Sequence, residues 1–332
     1  MVEPLGTVVV RRLFTVSSWL IIFNLLNVLS PLLVLAALVY DVPRKNRFTG
    51  VRTLFYGWCF FAIELCTVVA MAWLTLRYPN RAKRLPPIHR LQDRYTGLLF
   101  WACSTAYSLR FKVTGEENIG KGPLLVFPRH ASVIDTILPG VYLSARHGYL
   151  MRYVLKRELR VDPCLDISSD TLHNHFVERG SKDADKEIAA IAALKEGIGD
   201  LDAVLIYPEG TRYSPAKQRR ALEKLAEREP AQHAKALHLK HLLPPRMGGT
   251  LALLDHPPKT DVLFLAHHGL EGFASVRDIL SGRMVGQLVQ IHFRRVPAQD
   301  IPADEKARID WFYEQWLEVD RWIDEVGRAA ST

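Results

Sequence analysis

Between Leu13 and Tyr40 the chain carries no charged residue, and that run exceeds the roughly 20 apolar residues needed to cross a bilayer core. It is too long for a secretory signal and has no small-residue cleavage site, so it does not read as a cleaved leader. Pro31 and the polar Asn24 and Asn27 interrupt it. A kinked or re-entrant helix fits the same pattern, provided the backbone carbonyl freed by the proline finds another partner. A second apolar run, Thr53 to Leu76, is broken by Glu64. A charge at the centre of a membrane helix costs about 2.5–3.5 kcal/mol on insertion scales, so Glu64 is expected to be protonated, paired or turned toward the other helix. Joined by Asp41–Gly50, the two runs read as a membrane helical hairpin.

Arg11, Arg12, Arg77, Arg81, Lys83, Arg84 and Arg90 flank its open end, against Arg44, Lys45, Arg47 and Arg52 at its turn. The positive-inside rule then expects both termini in the cytoplasm. A hairpin that dips into one leaflet and returns is the alternative; in both cases the remaining chain lies on one side of the membrane. Residues 90–109 read as an interfacial helix with Trp101 and Tyr107 at headgroup level, or equally as a helix packed on the soluble part. The expected division is a hairpin and basic linker over 1–90 and an α/β domain over 91–332.

The 332 residues carry a formal charge of +8 and a pI of about 9.3, which suits a negative partner such as nucleic acid, an anionic bilayer or a phosphorylated small molecule. Nucleic acid is disfavoured, because the basic residues do not gather into an aromatic-interleaved motif. Cys59, Cys66, Cys103 and Cys164 form no CxxC pair and are expected to be reduced, buried thiols. The pairs His173/His175 and His238/His241 lack acidic or cysteine company at zinc-site spacing, so no metal is expected. Neither a GxGxxG nor a GxxxxGK[ST] loop occurs, which argues against a dinucleotide enzyme or P-loop NTPase.

From Arg110 onward short apolar runs alternate with charged helical stretches, the grammar of an α/β domain. Strands are expected at Phe111–Val113, Leu124–Phe127, Met151–Leu155, Ala203–Tyr207, Val262–Ala266 and Leu288–Phe293. Helices are expected at Val133–Ala145, Asp183–Glu196, Ala221–Glu227 and Arg308–Val326.

Four stretches carry chemistry. In LLVFPRHASVIDTILP, Leu124–Pro139, a strand stops at Pro128 and delivers Arg129 and His130. On one helix the step from His130 to Asp135 would rotate the side chains about 140° apart. They meet only if His130 lies in the turn and the helix starts at Ser132, for which S-x-x-D is a capping signature. Asp135 as a mere cap beside an exposed histidine remains the bland alternative. In VLIYPEGTRYSP, a strand ending at Pro208 presents Glu209, Gly210, Thr211 and Arg212. Gly210 allows close backbone approach to a ligand, Thr211 offers a hydroxyl, and Arg212 a planar fork matched to phosphate. A strand-ending turn with a solvated ion pair fits too. HFVERG places Arg179 after an apolar pair, and HLLPPRMGGTLALL breaks the chain at Pro244 and Pro245; each also reads as an ordinary loop. The run Lys217, Arg219, Arg220 reads as a solvated helix face or a membrane-surface patch.

Together and in order, His130-x4-Asp135, Phe176-x-x-Arg179, Pro208-Glu209-Gly210-Thr211-Arg212 and Leu243-Pro244-Pro245 resemble the glycerophospholipid acyltransferase family. VLKRELRVDP, with Lys156, is similar to that family's Lys-x-Glu-Leu segment. FRRVPAQDIPADEK and the aromatic-rich helix after it look like the branch containing lysophosphatidate and lysocardiolipin acyltransferases. The resemblance covers about Arg110 to the C-terminus. The chain departs from it at Arg129, where asparagine is usual, at Tyr207, where phenylalanine is usual, and in the doubled proline.

What the resemblance implies is a mixed sheet flanked by helices; the charge asymmetry of the hairpin expects it on the cytoplasmic face, of a bacterial inner membrane or endoplasmic reticulum alike. The expected reaction moves a fatty acyl group from acyl-CoA or acyl-carrier protein, a co-substrate and not a cofactor, to the sn-2 hydroxyl of lysophosphatidic acid or a related lysophospholipid. Another lysophospholipid headgroup, or hydrolysis by a lysophospholipase, is the alternative. His130 is expected as general base and Asp135 as its orienting partner; Arg179 and Arg212 would meet the acceptor phosphate, with Glu209, Gly210 and Thr211 shaping the glycerol site. Arg129, Phe176, Lys156, Pro244 and Pro245 are further candidates, Arg129 as added positive charge near that phosphate.

Overall fold

The computed structural model describes residues 3–178 and 183–329. The chain opens with three long helices, α1 (Leu5–Arg44), α2 (Thr49–Arg77) and α3 (Arg81–Tyr107). It continues through β1 (Arg110–Thr114), β2 (Leu124–Pro128), β3 (Leu150–Lys156), α4 (Pro163–Ser168), β4 (His175–Val177), α5 (Ala184–Ala192) and β5 (Asp202–Leu205). Then follow α6 (Pro215–Arg228), α7 (Pro230–Ala236), α8 (Met247–Asp255), β6 (Asp261–His268), α9 (Val276–Leu280), β7 (Leu288–Val296) and α10 (Glu305–Ala329).

Among the described residues the strands form one seven-stranded mixed sheet in the order β1-β7-β6-β2-β5-β3-β4. Only β6 and β7 pair antiparallel. Side chains of a strand alternate between faces, and β2 is apolar throughout because helices cover both. Leu124 and Val126 join Tyr142, Leu263, Leu265 and Phe293 on one side, together with Cys103, Ala106 and Tyr107 of α3. Leu125 and Phe127 join Phe264, Leu253, Trp311, Phe312 and Trp316 on the other. The C-terminal ends of β2, β5 and β6 lie side by side, and so do the loops that follow them.

Both long apolar segments are helical and long enough to cross a membrane. The expected kink at Pro31 is not a break: α1 runs through it. Pro31 cannot donate to the Asn27 carbonyl, and the Ser30 hydroxyl donates to it instead at 2.8 Å. Asn24 likewise donates to Leu20 O at 2.8 Å, and Trp58 of α2 donates to the Asn27 amide oxygen at 3.0 Å. The polar groups of this stretch therefore meet partners without water. Glu64 is buried and accepts from the Tyr95 hydroxyl, so its partner is on α3 rather than α1.

The hairpin lies along the α/β domain and touches it at both ends. At the start of α1, Arg11 and Arg12 bond the buried carboxylate of Asp166 at 2.9 and 3.0 Å, and Arg12 also reaches Asp170 at 2.7 Å. At its turn, Arg47 donates to Val285 O at 2.6 Å and Asn46 to Leu280 O at 3.4 Å. The turn starts α2 through Asp41, whose carboxylate accepts from Gly50 N and Val51 N at 2.9 and 3.0 Å.

Two expectations need correction, and one alternative is settled. Val133–Ala145 is not one α-helix but a 3-10 turn, Ile134–Ile137, followed by a π-helical turn, Gly140–Ala145. Pro139 has no N–H for an α-helical bond at this point, and Gly140 sits so close to Thr96 of α3 that a Cβ would come within 2.9 Å of it. Residues 90–107 are the C-terminal part of α3, which buries Leu99, Ala102, Cys103, Ala106 and Tyr107 against the domain while Trp101 stays exposed, in keeping with the second of the two readings of this stretch. All four cysteines are free, but Cys66 is exposed.

Because Asp166 gathers two arginines of α1, Asp166→Ala should loosen the first turns of that helix by about 1–3 kcal/mol. Hydrogen exchange at residues 5–15 should quicken while the sheet amides stay protected. Unchanged exchange there would mean the ion pairs do not hold the helix down.

Candidate active site

β2 ends where Arg129 N donates to Leu265 O of β6 at 2.9 Å. The chain then turns, and three acceptors fix the turn. The Glu209 carboxylate accepts from His130 N at 2.5 Å. The Asp135 carboxylate accepts from Ala131 N and Ser132 N, both at 2.7 Å, through one oxygen. Ser132 Oγ returns a bond from Asp135 N at 3.0 Å, closing a reciprocal cap of the type expected. The other oxygen of Asp135 lies 2.9 Å from His130 Nδ1. Capping and pairing are thus done by different oxygens of one carboxylate.

Asp135 is fully enclosed. Burial alone would raise its pKa, but bonds from His130 and His267 outweigh it and hold the group well below the usual carboxylate range. An ionised carboxylate only accepts, so Nδ1 of His130 carries the proton and a neutral ring leaves Nε2 as an acceptor. The His130 side chain keeps 12% of its surface exposed against 1% for Asp135. The Tyr207 ring packs against the imidazole at 4.5 Å between centroids. The Tyr207 hydroxyl is buried without a hydrogen-bond partner among the described residues.

Glu209 sits behind the loop rather than at its mouth. Its second oxygen accepts from Leu243 N at 2.9 Å, so both oxygens serve backbone groups. The carboxyl is 2% exposed. Burial pushes its pKa up to about 8, against the pull of the Leu243 and His130 amides. Glu209 thereby joins the histidine turn to the Leu243–Pro245 segment. That segment is buried and anchored by the indole of Trp316, which donates to Leu243 O at 3.1 Å.

Arg129 also turns inward. It is 1% exposed and donates to His267 O at 2.6 Å and to the Glu271 carboxylate at 2.5 Å. Burial opposes the charge on Glu271, yet Arg129 holds its pKa down to about 2. The added charge is therefore paired with Glu271 beneath the turn.

Gly210 has φ +62°, and its close neighbour is the Arg246 side chain, which a Cβ would meet at 2.9 Å. Arg212 is half-buried and donates to Ala274 O at 3.4 Å. Thr211 Oγ1 accepts from Lys217 Nζ at 3.2 Å. Tyr213 N donates to His130 O at 2.7 Å, which ties this loop to the histidine turn. Lys156 ends β3 and Phe176 is the middle residue of β4, both beyond β5. With strands about 4.8 Å apart, that is about 10 Å or more to the side of β2. Phe176 is half-buried with the Arg160 guanidinium 4.6 Å above its ring. Arg179 lies outside the described residues. Among the described residues no group of three His, Cys, Asp or Glu side chains is placed to hold a metal.

Two residues of the site were not foreseen. Lys217, in the first turn of α6, reaches back to Thr211 Oγ1 and Arg212 O, whereas the sequence offered it as a solvated helix face or a membrane-surface patch. His267 is the larger omission, lying one residue past the expected end of its strand. It is wholly buried, with Nε2 3.4 Å from Asp135 Oδ2 and 3.3 Å from Arg129 O.

Glu209→Gln puts an amide NH2 against one of two backbone donors, at a cost of about 1–3 kcal/mol. The thermal unfolding temperature should fall and activity should drop with it. A variant of full stability and activity would remove Glu209 as the brace of the histidine turn.

Residues 110–268 match the family model described as Acyltransferase. Mouse 1-acyl-sn-glycerol-3-phosphate acyltransferase epsilon is 24% identical over 270 residues, covering 77% of this chain and 73% of its own length. The mouse gamma protein is 26% identical over 264 residues, covering 77% and 67%. The 1-acyl-sn-glycerophosphate (LPA) acyltransferase PlsC of Thermotoga maritima superposes with a TM-score of 0.55 at 18% identity, over 86% of this chain and 98% of that one. That structure shares the fold. With the four sequence blocks in order and the model matched across β1 to β6, residues 110–268 carry an Acyltransferase domain, and the chain is similar to 1-acyl-sn-glycerol-3-phosphate acyltransferases, which are O-acyltransferases.

Proposed function

We propose that this protein transfers a fatty acyl group from an acyl thioester, on CoA or a carrier protein, to the sn-2 hydroxyl of lysophosphatidic acid or a related lysophospholipid. The observation that carries the proposal is the His130 Nδ1–Asp135 Oδ1 contact of 2.9 Å on a partly exposed imidazole. An alcohol attacks a thioester poorly until its proton is removed, and an imidazole with an ordinary pKa near 6.5 suits that task at neutral pH. The acceptor oxygen bonds to the thioester carbonyl carbon as its proton passes to Nε2. Asp135 stabilises the imidazolium that forms. The carbon–sulfur bond then breaks, and the thiolate leaves with a proton returned from His130. No protein nucleophile is required, because the acceptor supplies it; Ser132 Oγ is engaged in the cap.

Arg212 is assigned to the acceptor's phosphate, since a guanidinium fork makes paired charge-assisted bonds, with Thr211 and Lys217 beside it. Arg179 is assigned the same role on the strength of the motif. The α1–α2 hairpin, which exposes Leu13, Phe14, Ile21, Leu25, Leu32 and Leu35, is assigned to the membrane. The start of α1 and the turn that follows it contact the same domain, with a helix about 60 Å long between them. That supports the hairpin entering and leaving one leaflet, with the domain on the cytoplasmic side where both substrates arrive.

The test supplies labelled acyl-CoA to the full-length protein in vesicles, with and without lysophosphatidic acid. Phosphatidic acid should form only with acceptor, and His130→Ala should slow it by about 10²–10⁴-fold while leaving the fold intact. Release of free fatty acid at the same rate with or without acceptor would contradict the proposal and favour a hydrolase.

A further inference from the structure

His267 is at the end of β6, fully enclosed, on the far side of Asp135 from His130. Its Nε2 faces two acceptors, Asp135 Oδ2 at 3.4 Å and Arg129 O at 3.3 Å. Neither can donate, so Nε2 carries a proton. Its Nδ1 is buried with no partner among the described residues. A proton there would be an unsatisfied buried N–H, at a cost greater than that of a bare lone pair. The geometry therefore fixes a neutral ring with hydrogen on Nε2.

We infer that His267 is a positioning residue for the acyl transfer proposed above, acting on His130 through Asp135 and the Arg129 carbonyl. Its N–H shares the negative charge of Asp135, which would otherwise fall more heavily on the His130 side. A carboxylate beside an imidazole favours the imidazolium, and a competing donor on that carboxylate weakens the effect. His267 thus weakens the pull of Asp135 on His130. By bonding Arg129 O it also fixes the peptide that presents His130.

The other charged and titratable groups around the pair are accounted for. Arg129 is paired with Glu271, and Glu271 also faces His268 at 3.6 Å. Glu209 is held by the His130 and Leu243 amides. Tyr207 contributes a hydroxyl that burial keeps un-ionised. His241, whose carbonyl accepts from Arg129 at 3.4 Å, turns its ring to Asp324 at 3.2 Å. Within this set, His267 and His130 are the two imidazoles that meet Asp135.

The test compares kcat/KM against pH for the full-length wild type, His267→Leu and His267→Gln in vesicles, with acyl-CoA and lysophosphatidic acid. Glutamine can place an N–H near the position of Nε2, and leucine cannot. In His267→Leu the acid limb should move to higher pH by about half a unit, close to threefold in rate at a fixed pH on that limb. KM for the lysolipid should not change. In His267→Gln the limb should return toward the wild-type position. A uniform loss at all pH values in the leucine variant, or the same displacement in the glutamine variant, would reduce His267 to a packing residue and overturn the inference. If neither variant folds, ¹⁵N-imidazole NMR of the wild type decides: a neutral Nε2–H ring between pH 6 and 8 is expected, and an imidazolium or Nδ1–H ring would overturn it. Absence of acyl transfer by the wild type would instead sink the underlying function.

Discussion

The buried carboxylate of Asp135 is where the local fold and the proposed chemistry meet. One oxygen accepts the two amides that begin the turn after β2, and the other meets His130 Nδ1. A strand that simply stopped at Pro128 would leave those amides without partners in a region closed to water. With Asp135 supplying them, the histidine loop has little freedom, and the imidazole is held with its proton on Nδ1. The second brace, Glu209, works on the same loop from behind and carries the constraint on to Leu243 and, through Trp316, to α10. Residues far apart in sequence are thus fastened to one turn by bonds to backbone amides, which depend on the fold more than on any local pattern.

The same economy of partners governs the apolar N-terminal helices. Where Pro31 removes a backbone donor, Ser30 replaces it, and where an asparagine enters the apolar stretch it bonds a carbonyl of the preceding turn. Charged residues gather at the ends of the hairpin, and both ends are fastened to the domain. This arrangement suits a catalytic domain held against a lipid surface rather than tethered at a distance from it.

Much of the architecture was legible because parallel strands covered on both faces must be apolar throughout. β2, β5 and β6 stand out for that reason, as does the turn after each. β4, of three half-buried residues at the sheet edge, has no such pattern and was not foreseen. The helix expected over Val133–Ala145 was placed correctly but given the wrong winding, since the effect of Pro139 and of the close approach to Thr96 comes from packing. At the site, the spacing of His130 and Asp135 and the capping serine were readable from local geometry alone. The inward turn of Arg129 depends on Glu271 and on a carbonyl of β6, the engagement of Glu209 on Leu243, and the place of His267 on strand register. None of these partners is near in sequence, so no local reading could have supplied them.

The central claim is that His130 and Asp135 act as one unit in acyl transfer. A double-mutant cycle tests it most directly, with kcat/KM measured for His130→Ala, Asp135→Asn and the double variant. If the aspartate acts only through the histidine, the double variant should be no slower than His130→Ala alone. Losses that multiply across the two positions would mean that Asp135 supports the protein in some other way, and that the contact between them is not the source of the chemistry.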